Sequence, residues 1–136
     1  MTATLQALLG FIAWTLCLLV LMEAIRSWLV LSGKVPANGF NPDNSNLSPF
    51  MQRLARAHAN CLEGLPVFGG LMLVAIAADR AAVTDPLAWV LLGARVVQSF
   101  IHLASTSPAA VSARFTAFAV QMAIAVYWVF GLLGAR

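Results

Sequence analysis

The sequence predicts an all-α fold, a four-helix transmembrane bundle, on three observations. Hydrophobic residues make up 61% of the 136 positions and charged ones only 10%, against roughly 25% charged in an ordinary soluble domain. A chain this short cannot hide so much apolar surface in its own interior, because small domains bury too small a share of their area. The apolar residues also fall into four runs long enough to cross a bilayer, separated by segments rich in Gly, Pro, Asn and Ser. The chain reads as a single integral membrane domain, residues 1–136, with spans at about 5–31, 49–78, 86–105 and 112–134.

The first run starts near Leu5 with no lysine or arginine ahead of it. A cleaved signal needs a basic start and a small-residue cleavage site, so this run reads as a retained span. Glu23 and Arg26 stand one turn apart near its far end and are expected to pair. Ser32–Ser48 is the only long loop. Ser48-Pro49 then reads as a helix cap followed by a proline at the first helical position, where its missing N–H costs nothing.

The second helix runs on to about Ala78, roughly 45 Å, longer than the hydrocarbon is thick. Pro66 cannot bond the carbonyl of Leu62, so a bend is expected beside Glu63. Gly64, Gly69 and Gly70 are expected to admit a neighbouring backbone. Asp79–Asp85 reads as a turn, with Thr84-Asp85-Pro86 a second cap-plus-proline start for the third span. Ser107-Pro108 reads as a helix break, with the fourth span opening near Ser112.

Within these spans the ionisable residues form stripes. At 100° per residue, Arg53, Arg56, Asn60 and Glu63 fall within an arc of about 80°, a polar strip some 15 Å long that descends toward hydrocarbon. Arg95, Gln98, Ser99, His102, Ser105 and Thr106 share an arc of about 120° on the third helix. Arg114, Phe118 and Gln121 lie on one face of the fourth. Ionisable groups inside a membrane are costly, face protein or a water-filled cavity, and mark function. Together the three faces can enclose a mostly cationic pocket suited to an anionic ligand that also carries an amine or amide. Glu63 is expected either to contact that ligand or to pair with Arg95 as a structural ion pair.

Other chemistries are excluded on residue type and spacing. His102 stands without a second histidine, cysteine or carboxylate at ligand spacing, so no metal site is expected. His58 points away from the second helix's stripe and reads as an interfacial or inter-helix residue. No serine or cysteine has a base at a helical offset that would make it a nucleophile. Cys17 and Cys61 lie at different depths and read as apolar packing residues, not a disulfide. The net charge is +3. The basic residues that give it are scattered at helix ends and inside helices, with no exposed basic face, which excludes nucleic acid as a partner. Arg26, Lys34, Arg53, Arg56 and Arg114 flank the first and third loops, which places those loops in the cytoplasm and both termini outside. Stripes and Arg114 then open on the cytoplasmic side of what is expected to be a bacterial-type inner membrane.

The segment Arg53–Pro66, RLARAHANCLEGLP, resembles the second-helix signature RxxRAxxNxxE, followed by a proline, of the MAPEG family: membrane-associated proteins in eicosanoid and glutathione metabolism, including the microsomal glutathione transferases. The similarity extends along the chain in span count, loop lengths and the third-helix segment ARVVQSFIH. The resemblance implies a homotrimer with glutathione, as co-substrate, bound between subunits and open to the cytoplasm. By matching position it implies glutathione-binding roles for Arg53, Arg56, Asn60, Glu63 and Arg95, with Gln98 and His102 beside them, and makes Arg114 the catalytic residue that holds the thiolate. The sequence departs from the pattern at Ala59, where glutathione-using members often carry another arginine. Gln98 and His102 replace a histidine and a tyrosine, and Phe118 stands where some members place a tyrosine. The segment Ser105–Ala113 is also longer than in the best-known members.

Two functions follow as expectations. The first is a glutathione transferase or peroxidase acting on lipophilic electrophiles that arrive through the lipid bilayer. The second is a non-catalytic protein of the same fold that binds a lipid, another thiol or a protein partner, and the missing tyrosines favour it. Four spans without a repeat between halves give no sign of a transporter.

Overall fold

Helices account for most of residues 1–134, the part of the chain that the computed structural model describes. Four of them are long and apolar enough to cross a membrane: α1 (Ala3–Leu31), α2 (Pro49–Ala77), α3 (Ala81–Ala104) and α4 (Pro108–Gly134). Helices that each cross the membrane in sequence alternate in direction. One end of the bundle therefore carries the 32–48 loop and the α3–α4 link, and the other carries both chain ends and the α2–α3 turn. Helix α3 packs closely against all three other helices, most of all against α4.

Local chemistry sets each boundary. Thr2 caps α1 and Ser48 caps α2, their hydroxyls accepting from the N–H groups of Leu5 and Met51. Helix α4 starts at Pro108, not near Ser112 as expected. Ser107 is its cap, accepting from the Ala110 N–H at 3.2 Å. The Ser-Pro pair thus opens a helix at both places where it occurs in the sequence.

Helix α3 departs the other way. It begins at Ala81, so Pro86 lies inside it. The proline sits so close to the helix start that it forfeits only the one bond to Ala82 O. Thr84 and Asp85 are then free to act on α1. Asp85 Oδ1 accepts from the Thr4 backbone N–H at 2.8 Å and from its hydroxyl at 2.6 Å, and the Thr84 hydroxyl lies 2.6 Å from that of Thr4. Asp85 caps the neighbouring helix, satisfying an amide that the first turn of α1 cannot satisfy itself.

The irregularity expected at Pro66 takes the form of a widened turn. Leu65–Gly69 is π-helical between the regular segments Pro49–Gly64 and Gly70–Ala77. The Gly70 N–H reaches back to Leu65 O. A five-residue reach accommodates a proline that lacks an N–H and whose ring would strike the carbonyl one turn earlier.

The loop end is pinned by Arg26. It pairs with Glu23 at 3.0 Å, as expected, and donates to Asn44 Oδ1 from Nε at 3.1 Å and Nη2 at 2.5 Å. Asn44 is fully buried at φ 58°, a left-handed conformation that asparagine tolerates, and its amide donates to Met51 O at 2.8 Å. One arginine and one asparagine thereby join α1, the loop and the start of α2. Lys34 lies 4.3 Å over the Trp28 ring, an amphipathic anchor beside the same end.

Two apolar clusters fill the bundle. One, around Phe11, Phe68, Met72, Leu91 and Trp128, lies toward the chain ends. The other, around Leu18, Met22, Met51, Leu54 and Cys61, lies toward the loop. Both cysteines are free.

Because the Thr4–Asp85 contact is charge-assisted and lies at the helix start, Asp85→Ala should destabilise the protein by about 3 kcal/mol. Asp85→Asn, which keeps an acceptor, should cost roughly half of that. Chemical unfolding in detergent micelles measures both, and equal losses would deny the carboxylate this role.

Candidate functional site

The first sixteen residues of α2, Pro49–Gly64, make no close backbone approach to α4; the two helices meet only from the π turn onward. Both lean on α3, so a cleft opens between them with α3 as its floor. The sequence's polar stripes line this cleft.

Its outer part is a cavity of about 460 Å³. Arg56, Asn60 and Glu63 come to it from α2, Gln98 and His102 from α3, and Arg114 and Phe118 from α4. The cavity continues into a second one of about 470 Å³, which shares Asn60, Glu63, Gln98 and Phe118 and adds Gly64, Phe68, Arg95 and Met122. Of the eight residues singled out in the sequence, six line the outer cavity and Arg95 lines the inner one. Arg53 is not brought in. Its Nε donates to Leu103 O at 2.8 Å, tying α2 to the end of α3, and it lines a separate polar recess with Asp43, Gln52 and Thr106.

The floor is a hydrogen-bonded polar layer. The Asn60 amide nitrogen lies 3.0 Å from His102 Nδ1. With Asn60 donating, His102 is neutral and carries its proton on Nε2, which is enclosed and has no protein partner. Gln121 of α4 donates to Gln98 Oε1 at 2.9 Å and to Ala117 O at 3.0 Å. The carbonyl of Gln98 is thus occupied from α4, leaving its amide N–H groups for the cleft. Ser99 donates back to Arg95 O at 3.1 Å, so its oxygen is left to accept from the Cys61 thiol at 3.3 Å. That thiol is a buried packing group.

Arg95 is 1% exposed. Nη1 donates to Asn60 O at 3.3 Å, and the guanidinium sits 5.4 Å and 5.5 Å from the ring centroids of Phe11 and Phe68. Nε and Nη2 are enclosed without partners. The pairing with Glu63 that the sequence allowed does not form. Glu63 makes no ion pair with the described residues and stands exposed at the cleft wall. Gly64 makes room for this arginine, since a Cβ there would lie 2.6 Å from Arg95 Nη2. The glycine expected to admit a neighbouring backbone admits a cation instead. Gly69 likewise faces side chains, those of Leu65 and Leu8, and Gly70 faces open space.

Arg56 and Arg114 make no ion pair or hydrogen bond with the described residues, and Arg114 Nη1 is enclosed without an acceptor. The cleft therefore presents more N–H donors than acceptors. It holds no group of three His, Cys, Asp or Glu able to bind a metal ion among the described residues.

Set against known families, the chain matches the sequence model of the MAPEG family over residues 4–134, nearly its full length. It belongs to the MAPEG family. No curated protein and no solved structure matches it. The signature that runs from Arg53 to Pro66 in this MAPEG protein supplies the α2 wall of the cleft through Arg56, Asn60 and Glu63, and its proline lies in the π turn. The sequence does not tell that Gln121 holds Gln98 or that Gly64 gives its space to Arg95. Gln121 shares a helix face with Arg114 and Phe118, which was the available signal. Nothing local to Gly64 tells that an arginine from another helix fills its space.

If Gln121 acts through Gln98, Gln121→Leu should cost about 1–3 kcal/mol by leaving a buried carbonyl unmet. Adding Gln98→Leu should restore much of that loss, because removing both partners leaves nothing unsatisfied. A double-mutant cycle by unfolding in detergent reads the coupling.

Proposed function

We propose that this MAPEG protein is a glutathione-dependent transferase or peroxidase acting on lipophilic electrophiles, with the α2–α4 cleft as its glutathione site. One observation carries the reading. Three cationic side chains from three different helices converge on joined cavities without a carboxylate partner, and a cluster of unmet N–H donors calls for an anion. Glutathione has two carboxylates for arginine forks, an ammonium for Glu63, and amides for Asn60 and Gln98. Arg114 lies at the α4 side of the cleft, within the first two turns of that helix, and holds the sulfur as thiolate, since a nearby cation favours the nucleophilic form. The thiolate attacks an electrophilic carbon, forming the C–S bond as the leaving group departs with its electron pair. Phe118 and the apolar inner wall exclude water and accept a substrate from the bilayer.

The same cleft supports a homotrimer. Arg56, Ala59 and Glu63 are exposed in a single chain although they lie on a membrane-crossing helix. Charged groups there need protein or water before them. Two further copies around a common axis cover the cleft and leave its polar end open. That end carries Arg26, Lys34, Arg53, Arg56 and Arg114, so it faces the cytoplasm of a bacterial-type inner membrane, with both chain ends outside.

One observation favours non-catalytic binding of a lipid, another thiol or a protein partner: no hydroxyl side chain lines either cavity, and Phe118 stands beside Arg114. A calorimetric titration of the purified trimer with glutathione separates the readings. Saturable heat supports the enzyme; none at about millimolar glutathione, the upper range of ordinary substrate affinities, supports the other. Arg114→Ala should leave the trimer intact in size-exclusion chromatography and abolish the thiolate absorbance of bound glutathione. It should lower the conjugation rate by ~10²–10³-fold, the loss typical when one donor to a developing anion is removed. Unchanged turnover would take Arg114 out of the mechanism.

A further inference from the structure

Outside the cleft, the loop end of the bundle holds a separate recess of about 390 Å³. Gln52, Arg53 and Arg56 line it from α2, Asp43 from the 32–48 loop, and Thr106 from the α3–α4 link. Arg53 and Asp43 line neither cavity of the cleft. Helix α2 has 29 residues, about 43 Å of helix against a hydrocarbon about 30 Å thick, so roughly nine residues stand outside it. Residues 65–77 carry no charged side chain, so the excess falls at the start of α2. The recess therefore lies at the height of lipid headgroups.

Both signs of charge line this recess, and each is held where it stands. Arg53 Nε donates to Leu103 O at 2.8 Å, which fixes the guanidinium and leaves its Nη groups without an acceptor among the described residues. Arg56 makes no ion pair with the described residues. Across from them, Asp43 Oδ1 accepts from the Ser45 N–H at 3.0 Å. Hydrogen bonds from Ser45, and to a smaller extent the charge of Arg56, hold the Asp43 carboxyl below the usual carboxylate range. Yet Asp43 makes no ion pair with either arginine. An anion and two cations that line one gap without closing on each other suit a ligand carrying both charges.

Gln52 extends the accepting side. Its amide donates to Leu47 O at 3.0 Å and to Ser45 O at 3.4 Å, which leaves its carbonyl oxygen to accept. No aromatic ring lines the recess. A quaternary ammonium, which cannot donate and is held by ring faces, is ill suited to it, whereas a primary ammonium finds two acceptors.

We propose that the recess binds a phosphoethanolamine group, its phosphate on Arg53 and Arg56 and its primary ammonium on Asp43 and Gln52. Arginine forks match phosphate oxygens, and the Thr106 hydroxyl adds a donor beside them. The group occurs both as a phospholipid headgroup and as a free solute, and the height of the recess favours the lipid. Bound there, it joins the loop, α2 and the α3–α4 link at the membrane surface. Arg56 also lines the outer cavity of the cleft, so Arg53 and Asp43 are the residues that test the recess by itself.

The test uses the full chain in detergent micelles, with ligand-induced thermal stabilisation as readout. The probes are dihexanoyl phosphatidylethanolamine, its choline and glycerol counterparts, free phosphoethanolamine and inorganic phosphate. The ethanolamine lipid should stabilise the protein at concentrations where the other two lipids do not. Arg53→Gln should weaken it ~10–100-fold, the worth of a charge-assisted pair. Asp43→Asn keeps an acceptor for the Ser45 N–H and should abolish the preference for ethanolamine over glycerol. That variant decides the matter if Arg53→Gln, which also loses the Leu103 tie, fails to fold. Equal stabilisation by the three lipids would mean general lipid adhesion and overturn the proposal. A preference for ethanolamine that survives both variants would place the headgroup elsewhere and overturn it equally. Stabilisation by inorganic phosphate equal to that by free phosphoethanolamine would deny the ammonium contact, and with it the site. Stabilisation by the ethanolamine lipid alone assigns the recess to the membrane, and by free phosphoethanolamine at the same concentrations to a soluble ligand; either result supports the site.

Discussion

A guanidinium cannot remain in hydrocarbon unless neighbouring helices give it acceptors and polarisable faces, and the middle of this bundle is built to that demand. Arg95 projects from α3, which packs against all three other helices, and is met by groups from α1 and α2. These are a backbone carbonyl from α2 at Asn60, a ring face from α1 at Phe11, and a ring face from the π turn at Phe68. The two apolar clusters lie on either side of this polar layer. Ser99, Cys61, Gln98, Gln121, Asn60 and His102 extend it sideways through hydrogen bonds that link α3 to α2 and to α4. In a membrane such bonds add specificity of register where apolar packing against lipid-like surfaces adds little.

The cleft follows from how α2 solves its own problem at Pro66. Widening one turn keeps the helix continuous across a residue with no N–H, and π turns of this kind recur at functional sites. The turn divides α2 into two parts with different neighbours. Beyond it, α2 packs against α4; before it, the two stand apart and the space between them is the cleft. The signature residues Arg56, Asn60 and Glu63 all precede the turn, so they line that space.

Much of this was legible in the sequence because membranes make strong rules. Length and hydropathy gave four spans, and helical periodicity put Arg56, Asn60 and Glu63 on one face and Arg95, Gln98 and His102 on another, where the structure has them. What stayed hidden was tertiary. Thr84-Asp85-Pro86 has the local look of a helix start, yet its capping groups serve α1, and a cap for a different helix leaves no trace in spacing. Ser107-Pro108 was read as a stop although the same pair opens α2, because a Ser-Pro after a helix signals an end and a start alike. Arg53 shares the stripe of Arg56 by angle but lies one turn nearer the loop, where the end of α3 offers the Leu103 carbonyl. Angle around a helix was readable; height against a neighbour was not.

The two ends of the bundle are secured in different ways, and the difference bears on how a ligand enters. At the chain-terminal end, Thr4, Thr84 and Asp85 lock α1 to α3 at the point where both begin, and Trp128 of α4 is fully buried beside them in the apolar cluster. At the loop end the fixed contacts join α1 to the start of α2 through Arg26 and Asn44, and α2 to α3 through Arg53. No hydrogen bond among the described residues ties the first two turns of α4, which carry Arg114, to α2. At the loop end the α2–α4 side is therefore the one that no hydrogen bond among the described residues closes, and it is the side on which the cleft opens. The cation proposed to meet the thiolate sits on the element with the fewest ties, and the cation at mid-depth on the element with the most.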